Sequence, residues 1–545
     1  MQRIQFSAMI VDHHSVEEGF PLQQTLHYNV RLACPGMVLL AISLGVVALA
    51  NVPILSSFFI ADDFLHFYQI ANWRPFEFIF SSHGGHLYIF RNMAFYVMFE
   101  LFGMHATPYF VIVLLTHLIA CAILFKTLQL ITGKTLPAAA GTMLWGTSPL
   151  LQATMGWYSV YGHVLTGLFF LLFFYDLVRV DQGLLPFSGR LILRWSIYIV
   201  LMATSFGHGL ATAGLAPATA ALVLWGRERK WQIAALLIPA VLLVAILYAS
   251  KDVMFAMAGG SGPQSGPTPL SEATRFALPI LEMSYRMGAY ALYCATAIPI
   301  YCTSAAQRYP AAALLVSAPL IALFIYQWYR PGAFRKYYGV LALLLLGLIA
   351  VTAYGRAPFY SIFSVPIDAA AITPRYYYLI LLISVLLLIL MLDDLLRFSS
   401  RVATIVMTIV VAGLVISTPA HYRKVKYLMD EGVTASQKQI YLDTAAFIEA
   451  SIQAAPVGKS VYIDNTMREP LLMFFPSETC FPGRAAVFAI TYPDNIVNGR
   501  RVFFVEQDRR IAELNLAHGQ WRISTLLVTA DGVEHHPNDT RLPHL

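Results

Sequence analysis

The sequence predicts a polytopic α-helical membrane protein with about eleven transmembrane helices, helices along its outer face and a small C-terminal α/β domain. Hydrophobic residues make up 58% of the 545 residues and charged residues only 12%, whereas soluble domains carry about 25% charged residues. Several apolar stretches reach the roughly 20 residues that cross a bilayer. From residue 421 onward the pattern changes to a helical stretch followed by short strand-like segments, which indicates a separate domain.

The apolar stretches define the predicted transmembrane helices and their orientation. Basic residues in the loops between them sort to one side, which the positive-inside rule assigns to the cytoplasm. The net charge of +6 is spread over these short loops, so it indicates orientation and gives no sign of nucleic-acid binding. The predicted spans lie at about 37–60, 107–131, 136–153, 158–180, 191–207, 208–226, 231–249, 310–328, 336–353, 375–392 and 402–419.

This orientation divides the chain into three parts. Residues 1–36 are predicted to be cytoplasmic, residues 37–420 form the transmembrane domain, and residues 421–545 form a domain outside the membrane. Two mixed-polarity stretches, 86–103 and 275–302, are predicted to lie along the outer face. The predicted strands of the outer domain are KSVYIDN, AAVFAI, RRVFFVE and STLLVTAD.

The first outer loop, 61–106, begins with two adjacent acids, Asp62 and Asp63. One interpretation is ordinary helix-end polarity, because aspartate is favoured at a helix N-terminus. The other is chemistry, since neighbouring carboxylates raise one another's pKa, so that one can act as a base or both can hold a cation. The aromatic residues around the pair and its position at the membrane surface make it a candidate catalytic group.

Two arginines, Arg356 and Arg375, fall on the predicted outer side, where the positive-inside rule disfavours them. Snorkelling at the interface explains outer tyrosines such as Tyr376 but explains outer arginines poorly. A guanidinium near the surface suits bidentate binding of a phosphate, such as a lipid headgroup. These three residues are therefore candidates for binding an anionic lipid head.

The first outer loop also carries His83, His86 and Arg91 as candidate substrate-binding residues. Imidazole beside carboxylate suits a divalent ion. The sequence therefore leaves open a cation, Mg²⁺ or Mn²⁺, held by Asp62, Asp63 and His83. The alternative is that the histidines only form hydrogen bonds with substrate or backbone, without a metal cofactor.

Some motifs and charges are absent from the sequence. It contains no Walker loop, no GxSxG elbow and no HExxH motif. An acid at mid-bilayer costs at least about 2.5–3.5 kcal/mol on insertion scales, and ion-coupled transporters usually carry several. Charged residues are sparse within the predicted spans here and concentrate at the outer surface, which favours surface chemistry over transport.

The arrangement resembles the GT-C superfamily of integral membrane glycosyltransferases, which includes protein O-mannosyltransferases and lipid A aminoarabinose transferases. The likeness covers the organisation of residues 37–420, where the first span ends in an acidic pair and surface helices follow. The acidic motif of the family often reads Asp-Glu, whereas here it reads Asp-Asp, so the resemblance does not choose between the carboxylates. The stretches that carry it are ADDF, HGGHLYIFRNMAFYVMFELFG, VLLTHLIACAIL, SPLLQATMGWYSVYGHVL and TPRYYYL.

The resemblance implies an inverting transferase that takes a sugar from a polyprenyl-phosphate donor. Its active site would face the periplasm, in a bacterial inner membrane and among membrane lipids. Asp62 is the first candidate and Asp63 the second for the base on the acceptor hydroxyl. Arg356 and Arg375 would stabilise the leaving lipid phosphate.

The acceptor and two alternative functions remain open from the sequence. Trp157, Tyr158 and Tyr161 offer aromatic faces that suit sugar rings, and the acceptor is a glycan, a lipid or a protein. A flippase or transporter of lipid-linked glycans would be expected to show charged residues along a path through the spans. An O-antigen ligase or polymerase would be expected to centre on arginine and histidine in a large late outer loop.

Overall fold

The structure is a computed structural model that describes most of the chain. Predictions for the remaining residues, which include most of the cytoplasmic segment 1–36 and of the loop 258–270, lie outside the described part. The described residues are 22–83, 86–225, 230–258, 275–296, 310–329, 334–362, 364–467, 483–492, 496–497, 500–506, 510–515, 520–529 and 532–536.

Helices dominate the described residues, as the composition predicts. The α-helices are α1 (Leu22–Asn51), α2 (Asp62–Asn72), α3 (Pro75–Phe80), α4 (Ile89–Phe102), α5 (Ala106–Thr132), α6 (Thr135–Gly146), α7 (Gln152–Met155), α8 (Gly162–Asp181), α9 (Gly189–Ala203), α10 (Gly207–Val223), α11 (Lys230–Ala249), α12 (Lys251–Met257), α13 (Ala277–Thr296), α14 (Pro310–Tyr329), α15 (Arg335–Ile362), α16 (Ile367–Ala371), α17 (Tyr377–Leu395), α18 (Ser400–Asp430), α19 (Val433–Ala454) and α20 (Arg484–Thr491).

Seven helices in the described part of the chain are long and apolar enough to cross a membrane. Each overlaps one of the predicted spans, so the prediction of a polytopic helical membrane protein is confirmed. The seven are Gly36–Ser56, Ala106–Thr132, Tyr158–Asp181, Lys230–Ala249, Arg335–Pro358, Pro374–Leu395 and the apolar part of Ser400–Ala454.

The other four predicted spans fall on helices outside this set. α6, α9 and α10 contain 12, 15 and 17 residues. At 1.5 Å per residue they reach about 18–26 Å, which is short of the roughly 30 Å hydrocarbon core. α14 contains 20 residues, but many of its side chains lie outside the described residues. The break after α6 leads into the irregular segment that contains Ser159, whose N–H donates to Asp63 (2.6 Å). The break between α9 and α10 contains Thr204, whose carbonyl accepts a hydrogen bond from the N–H of Phe90 (3.1 Å).

α17 is the central helix of the bundle. Nearly every one of its side chains is buried, because it packs against α5, α6, α8, α13, α14 and α15. Its sequence is apolar on all faces, which is typical of a helix surrounded by other helices. The helix therefore fixes the position of Arg375 and Tyr376, which directly precede it.

The two mixed-polarity stretches form α4 and α13, and neither is among the seven apolar helices. α4 exposes an apolar stripe, with Met93, Val97 and Leu101 exposed by 43%, 47% and 66%. Such a stripe is typical of a helix that lies on a lipid surface. α13 packs against α14, α15 and α17 with its buried residues Met283 and Met287.

The C-terminal domain contains a mixed sheet. The order is β3-β5-β6-β7-β8, with β4 paired to β5; β3 is parallel to β5 and the other pairs are antiparallel. A separate short pair, β1 and β2, lies in the first predicted outer loop. The strands are β1 (Ser82–His83), β2 (His86–Leu87), β3 (Val461–Asp464), β4 (Ile496–Val497), β5 (Arg500–Val505), β6 (Arg510–Asn515), β7 (Gln520–Thr529) and β8 (Gly532–His536).

One predicted strand, AAVFAI, is a helix in the structure. It forms α20, whose central side chains are all buried. The three alanines of this segment have the highest helix propensity of any residue, and Gly483 precedes the helix with φ at +85°. The strand prediction was therefore wrong, because it used apolar content without weighing the alanines.

The C-terminal domain packs directly on the helix that carries the acidic pair. The Tyr441 ring of α19 stacks on Phe64 of α2, with ring centroids 5.8 Å apart. The Asn72 side chain at the end of α2 donates to the Ala489 carbonyl of α20 (3.2 Å). α18 runs without a break through the predicted domain boundary at residues 420 and 421. The orientation of α2 is therefore set partly by the C-terminal domain.

Candidate active site

The acidic pair follows a strained turn. Ala61 adopts φ +50° and ψ −117°, a conformation that residues with a β-carbon rarely adopt and that costs of order 1–3 kcal/mol. This turn places Asp62 and Asp63 in the first turn of α2, where the positive end of the helix dipole stabilises carboxylates. A strained non-glycine residue held by its surroundings is typical of functional sites.

Asp63 is fully buried and is bound on both oxygens by the protein. Its Oδ1 accepts from the Ser159 N–H (2.6 Å) and the Ser159 hydroxyl (2.5 Å), and its Oδ2 accepts from the Ile60 N–H (3.0 Å). These bonds join α2 to the segment before α8. The geometry therefore gives Asp63 an anchoring role.

Asp62 lies beside Asp63 but has a different environment. It is partly exposed, and its negative charge interacts electrostatically with Tyr88, Arg91 and Arg375. A carboxylate that keeps access to solvent and faces cationic side chains is suited to take a proton from an incoming hydroxyl. The structure therefore separates the two acids, because Asp63 is buried and hydrogen-bonded by the protein whereas Asp62 keeps partial access to solvent.

Arg91 is almost completely buried in α4. Its Nη1 donates to the Ser159 carbonyl (3.1 Å), and its guanidinium lies 4.1 Å from the centre of the Tyr88 ring. Burial lowers the pKa of Arg91 to about 10, so it stays charged at neutral pH. Its Nε and Nη2 have no hydrogen-bond partner among the described residues, which leaves them able to bind a ligand.

Arg356 and Arg375 converge on Tyr376, with their guanidinium carbons 5.8 and 5.3 Å from the centre of its ring. Arg375 also lies 4.8 Å from the Trp157 ring and donates to the Tyr360 hydroxyl (3.3 Å). Within the described residues, neither arginine forms an ion pair with a carboxylate, and the same is true of Arg91. We call Arg91, Arg356 and Arg375 the arginine cluster.

His86 joins this arrangement. The His86 Nε2 lies 3.2 Å from Arg356 Nη2 and accepts its hydrogen bond. The His86 ring also packs against Gly207, where an added Cβ would lie 2.5 Å from it. His83 pairs with His86 between β1 and β2, but its side chain lies outside the described residues. Among the described residues, no group of three histidine, cysteine or acidic side chains could hold a metal.

The predicted aromatic residues divide between the site and the core. Trp157 contacts the arginine cluster, and its indole N–H is buried without a described partner. Tyr158 instead packs edge-on against Phe95 and Tyr109, both with ring centroids 4.8 Å away. Tyr161 is hydrogen-bonded to a buried threonine. Only Trp157 of these three is therefore placed to contact a ligand bound by the arginines.

Several residues of the site were not predicted from the sequence. Ser159 joins Asp63 to Arg91, and Tyr88 and Phe206 pack around His86. His163 and His208 lie behind Phe206, with ring centroids 4.7 Å apart. These side chains come from three segments that are far apart in the chain, so no single local motif signals the group; the Gly-His pairs that begin α8 and α10 were the available cue.

Burial of Asp63 leads to a testable pH dependence. Burial raises the pKa of this carboxyl from an ordinary 3.8 to about 7. At pH values between these two pKa values, the folded protein therefore binds a proton at Asp63 more tightly than the unfolded chain does. The contribution of Asp63 to stability therefore falls as the pH rises from about 4 to about 7, by up to roughly 4 kcal/mol.

Asp63→Asn removes this titration, so its melting temperature should depend less on pH over this range than that of the unmodified protein. The comparison uses the slope of melting temperature against pH and not the melting temperature itself. This is because the asparagine side chain also loses the hydrogen bond from the Ile60 N–H, which changes stability for a separate reason. Asp368→Asn, at a partly exposed acid, is the control and should keep the original slope. Parallel pH profiles for Asp63→Asn and the unmodified protein would contradict the prediction.

Comparisons with known proteins add one structural likeness. No known family profile and no curated protein sequence matches the chain. Among solved structures, the chain is similar to the crystal structure of ArnT from Cupriavidus metallidurans bound to undecaprenyl phosphate. The identity is 12% and the TM-score 0.38, over 86% of this chain and 92% of that chain. A likeness at this level gives no correspondence between individual residues, and the chain's own helices define it as a polytopic membrane protein.

Proposed function

We propose that the protein is an inverting membrane glycosyltransferase that moves a sugar from a polyprenyl-phosphate donor to an acceptor hydroxyl at the periplasmic face. The observation that supports this most directly is the position of Asp62 beside the arginine cluster. A proton acceptor and an anion site lie together at the ends of membrane-spanning helices. These are the two groups that glycosyl transfer from a lipid phosphate needs.

The reaction follows from these groups. Asp62 takes the proton of the acceptor hydroxyl while its oxygen bonds to the anomeric carbon. The bond from that carbon to the phosphate oxygen breaks, and its electron pair leaves with the polyprenyl phosphate. Arg356 and Arg375, with Arg91 behind them, stabilise the charge on the leaving phosphate. Attack from the side opposite the leaving group inverts the anomeric carbon, and Asp62 then releases its proton to water.

The arrangement favours transfer over transport. A flippase would be expected to place charged groups along a path through the spans, whereas the arginine cluster lies at the helix ends. The cationic groups carry no carboxylate partners among the described residues, so they present net positive charge to an anion. A donor phosphate supplies the charge that this site lacks.

The test is a transfer assay with the purified full-length protein in lipid nanodiscs. We expect it to release polyprenyl phosphate from a polyprenyl-phosphate sugar, as measured by mass spectrometry with a panel of donor sugars and hydroxyl acceptors. Nuclear magnetic resonance of the product should show an inverted anomeric centre. Movement of intact donor across proteoliposomes without release would support a flippase, and reaction only with diphosphate donors would support a ligase or polymerase.

A further inference from the structure

A cleft of about 660 Å³ lies apart from the arginine cluster. Its walls come from the end of the first span, the turn between α4 and α5, and α19. None of the three arginines lines it. The volume falls within the range of small-molecule sites, about 300–1,000 Å³, so the cleft can hold part of a lipid.

The polar lining of the cleft contains one cation, Lys438, and a histidine, His105. His105 and Lys438 line it together with serine and threonine hydroxyls, and no carboxylate does. In the described part of the chain, neither residue forms an ion pair. Asp430 accepts a hydrogen bond from Ser56 (3.2 Å), but Asp430 is already paired with Lys426. The cleft therefore favours an anion.

The other side of the cleft is apolar and continues onto α4. Leu101, Phe102 and Leu442 line it and are at least partly exposed. Leu101 is also the last residue of the exposed stripe that begins with Met93 and Val97. The cleft adjoins the ends of two candidate spans, Gly36–Ser56 and Ala106–Thr132, which is the depth at which lipid headgroups meet acyl chains.

We propose that this cleft binds an anionic glycerophospholipid of the surrounding membrane. Its phosphate contacts Lys438 and His105, and its acyl chains follow the apolar stripe of α4. A lysine near an anionic membrane surface attracts lipid headgroups, and the apolar stripe requires a ligand with hydrocarbon chains. The site is separate from the arginine cluster, and the proposal does not rest on the proposed transfer reaction.

The cleft also adjoins the helix that carries the acidic pair. Phe58 lines it and packs against both Phe64 of α2 and Tyr441, with ring centroids 6.5 and 5.8 Å away. A lipid in the cleft therefore contacts the same aromatic group that positions α2. Binding there would favour the observed orientation of α2.

The test measures lipid binding to the full-length protein in a neutral detergent by native mass spectrometry. Dioleoyl phosphatidylglycerol should be retained more strongly than dioleoyl phosphatidylcholine. Lys438→Gln should weaken binding of phosphatidylglycerol about fivefold. It should weaken binding of phosphatidylcholine much less, because the choline cation compensates the phosphate charge. Lys459→Gln removes an exposed lysine outside the cleft and is the matched control.

A second variant and a second lipid complete the test. Thr107→Trp fills the cleft from an exposed position and should reduce phosphatidylglycerol binding while Lys438 is intact. Equal retention of the two phospholipids, or no effect of Lys438→Gln, would overturn the proposal. An equal loss of polyprenyl-phosphate binding in Lys438→Gln would also overturn it, because the cleft would then belong to the donor site.

Discussion

Asp62→Asn is expected to lower kcat of the proposed sugar transfer by about 10²–10⁴-fold, the range that general-base catalysis contributes. Asparagine keeps the shape of the side chain and its place in the first turn of α2, but it cannot take the proton of the acceptor hydroxyl. Donor binding depends on the arginines, so the KM for the donor should change much less than kcat. The measurement is initial rates of polyprenyl-phosphate release over a range of donor concentrations.

Two other acids, Asp63 and Asp368, provide the controls for this experiment. Asp63→Asn should mainly lower thermal stability, because it disturbs the bonds to Ile60 and Ser159. Asp368→Asn should leave both activity and stability near those of the unmodified protein. Near-normal kcat in Asp62→Asn, at normal protein level and melting temperature, would exclude Asp62 as the base. Loss of activity without loss of stability in Asp63→Asn would instead assign the chemistry to Asp63.

The sequence predicts the acidic pair as a functional candidate, but it cannot separate the two aspartates. Their difference depends on Ser159, which is 96 positions away in the chain and binds Asp63 through both its N–H and its hydroxyl. A contact of this kind has no local pattern. The same limit applies to Arg91, whose burial follows from packing of α4 and the Ser159 carbonyl.

The helical architecture was easier to predict from the sequence, because the length of an apolar stretch is a local property of the chain. The seven apolar helices agree with predicted spans, whereas α6, α9 and α10 are shortened by turns such as the one at Thr204, which tertiary contacts stabilise. Arg356 and Arg375 were predicted as an anion site from charge asymmetry alone, and the structure shows that they meet at Tyr376. Their convergence on one ring, and the interaction of Arg375 with the charge of Asp62, depend on tertiary packing and could not be read from the sequence.

Arg375→Ala is expected to weaken binding of polyprenyl phosphate about 10- to 100-fold, because a hydrogen bond to a charged group contributes about 1.5–3 kcal/mol. The side chain lies between Trp157 and the Tyr360–Tyr376 hydroxyl pair, which fixes the plane of its guanidinium. Arg375→Lys keeps the charge but cannot form the bidentate fork, so it should recover only part of the affinity. Binding can be measured by calorimetry in nanodiscs.

A comparison of two lipids separates phosphate binding from packing. Polyprenol has the same hydrocarbon chain as polyprenyl phosphate but lacks the charge, so its binding should be unchanged in Arg375→Ala. Arg397→Ala, at an arginine that pairs with Asp394 (3.4 Å), controls for the general loss of a cation. If Arg375→Ala weakened polyprenol and polyprenyl phosphate equally, Arg375 would be stabilising the aromatic wall and not the phosphate. Selective loss of the phosphate lipid, with an unchanged melting temperature, would support its role at the leaving group.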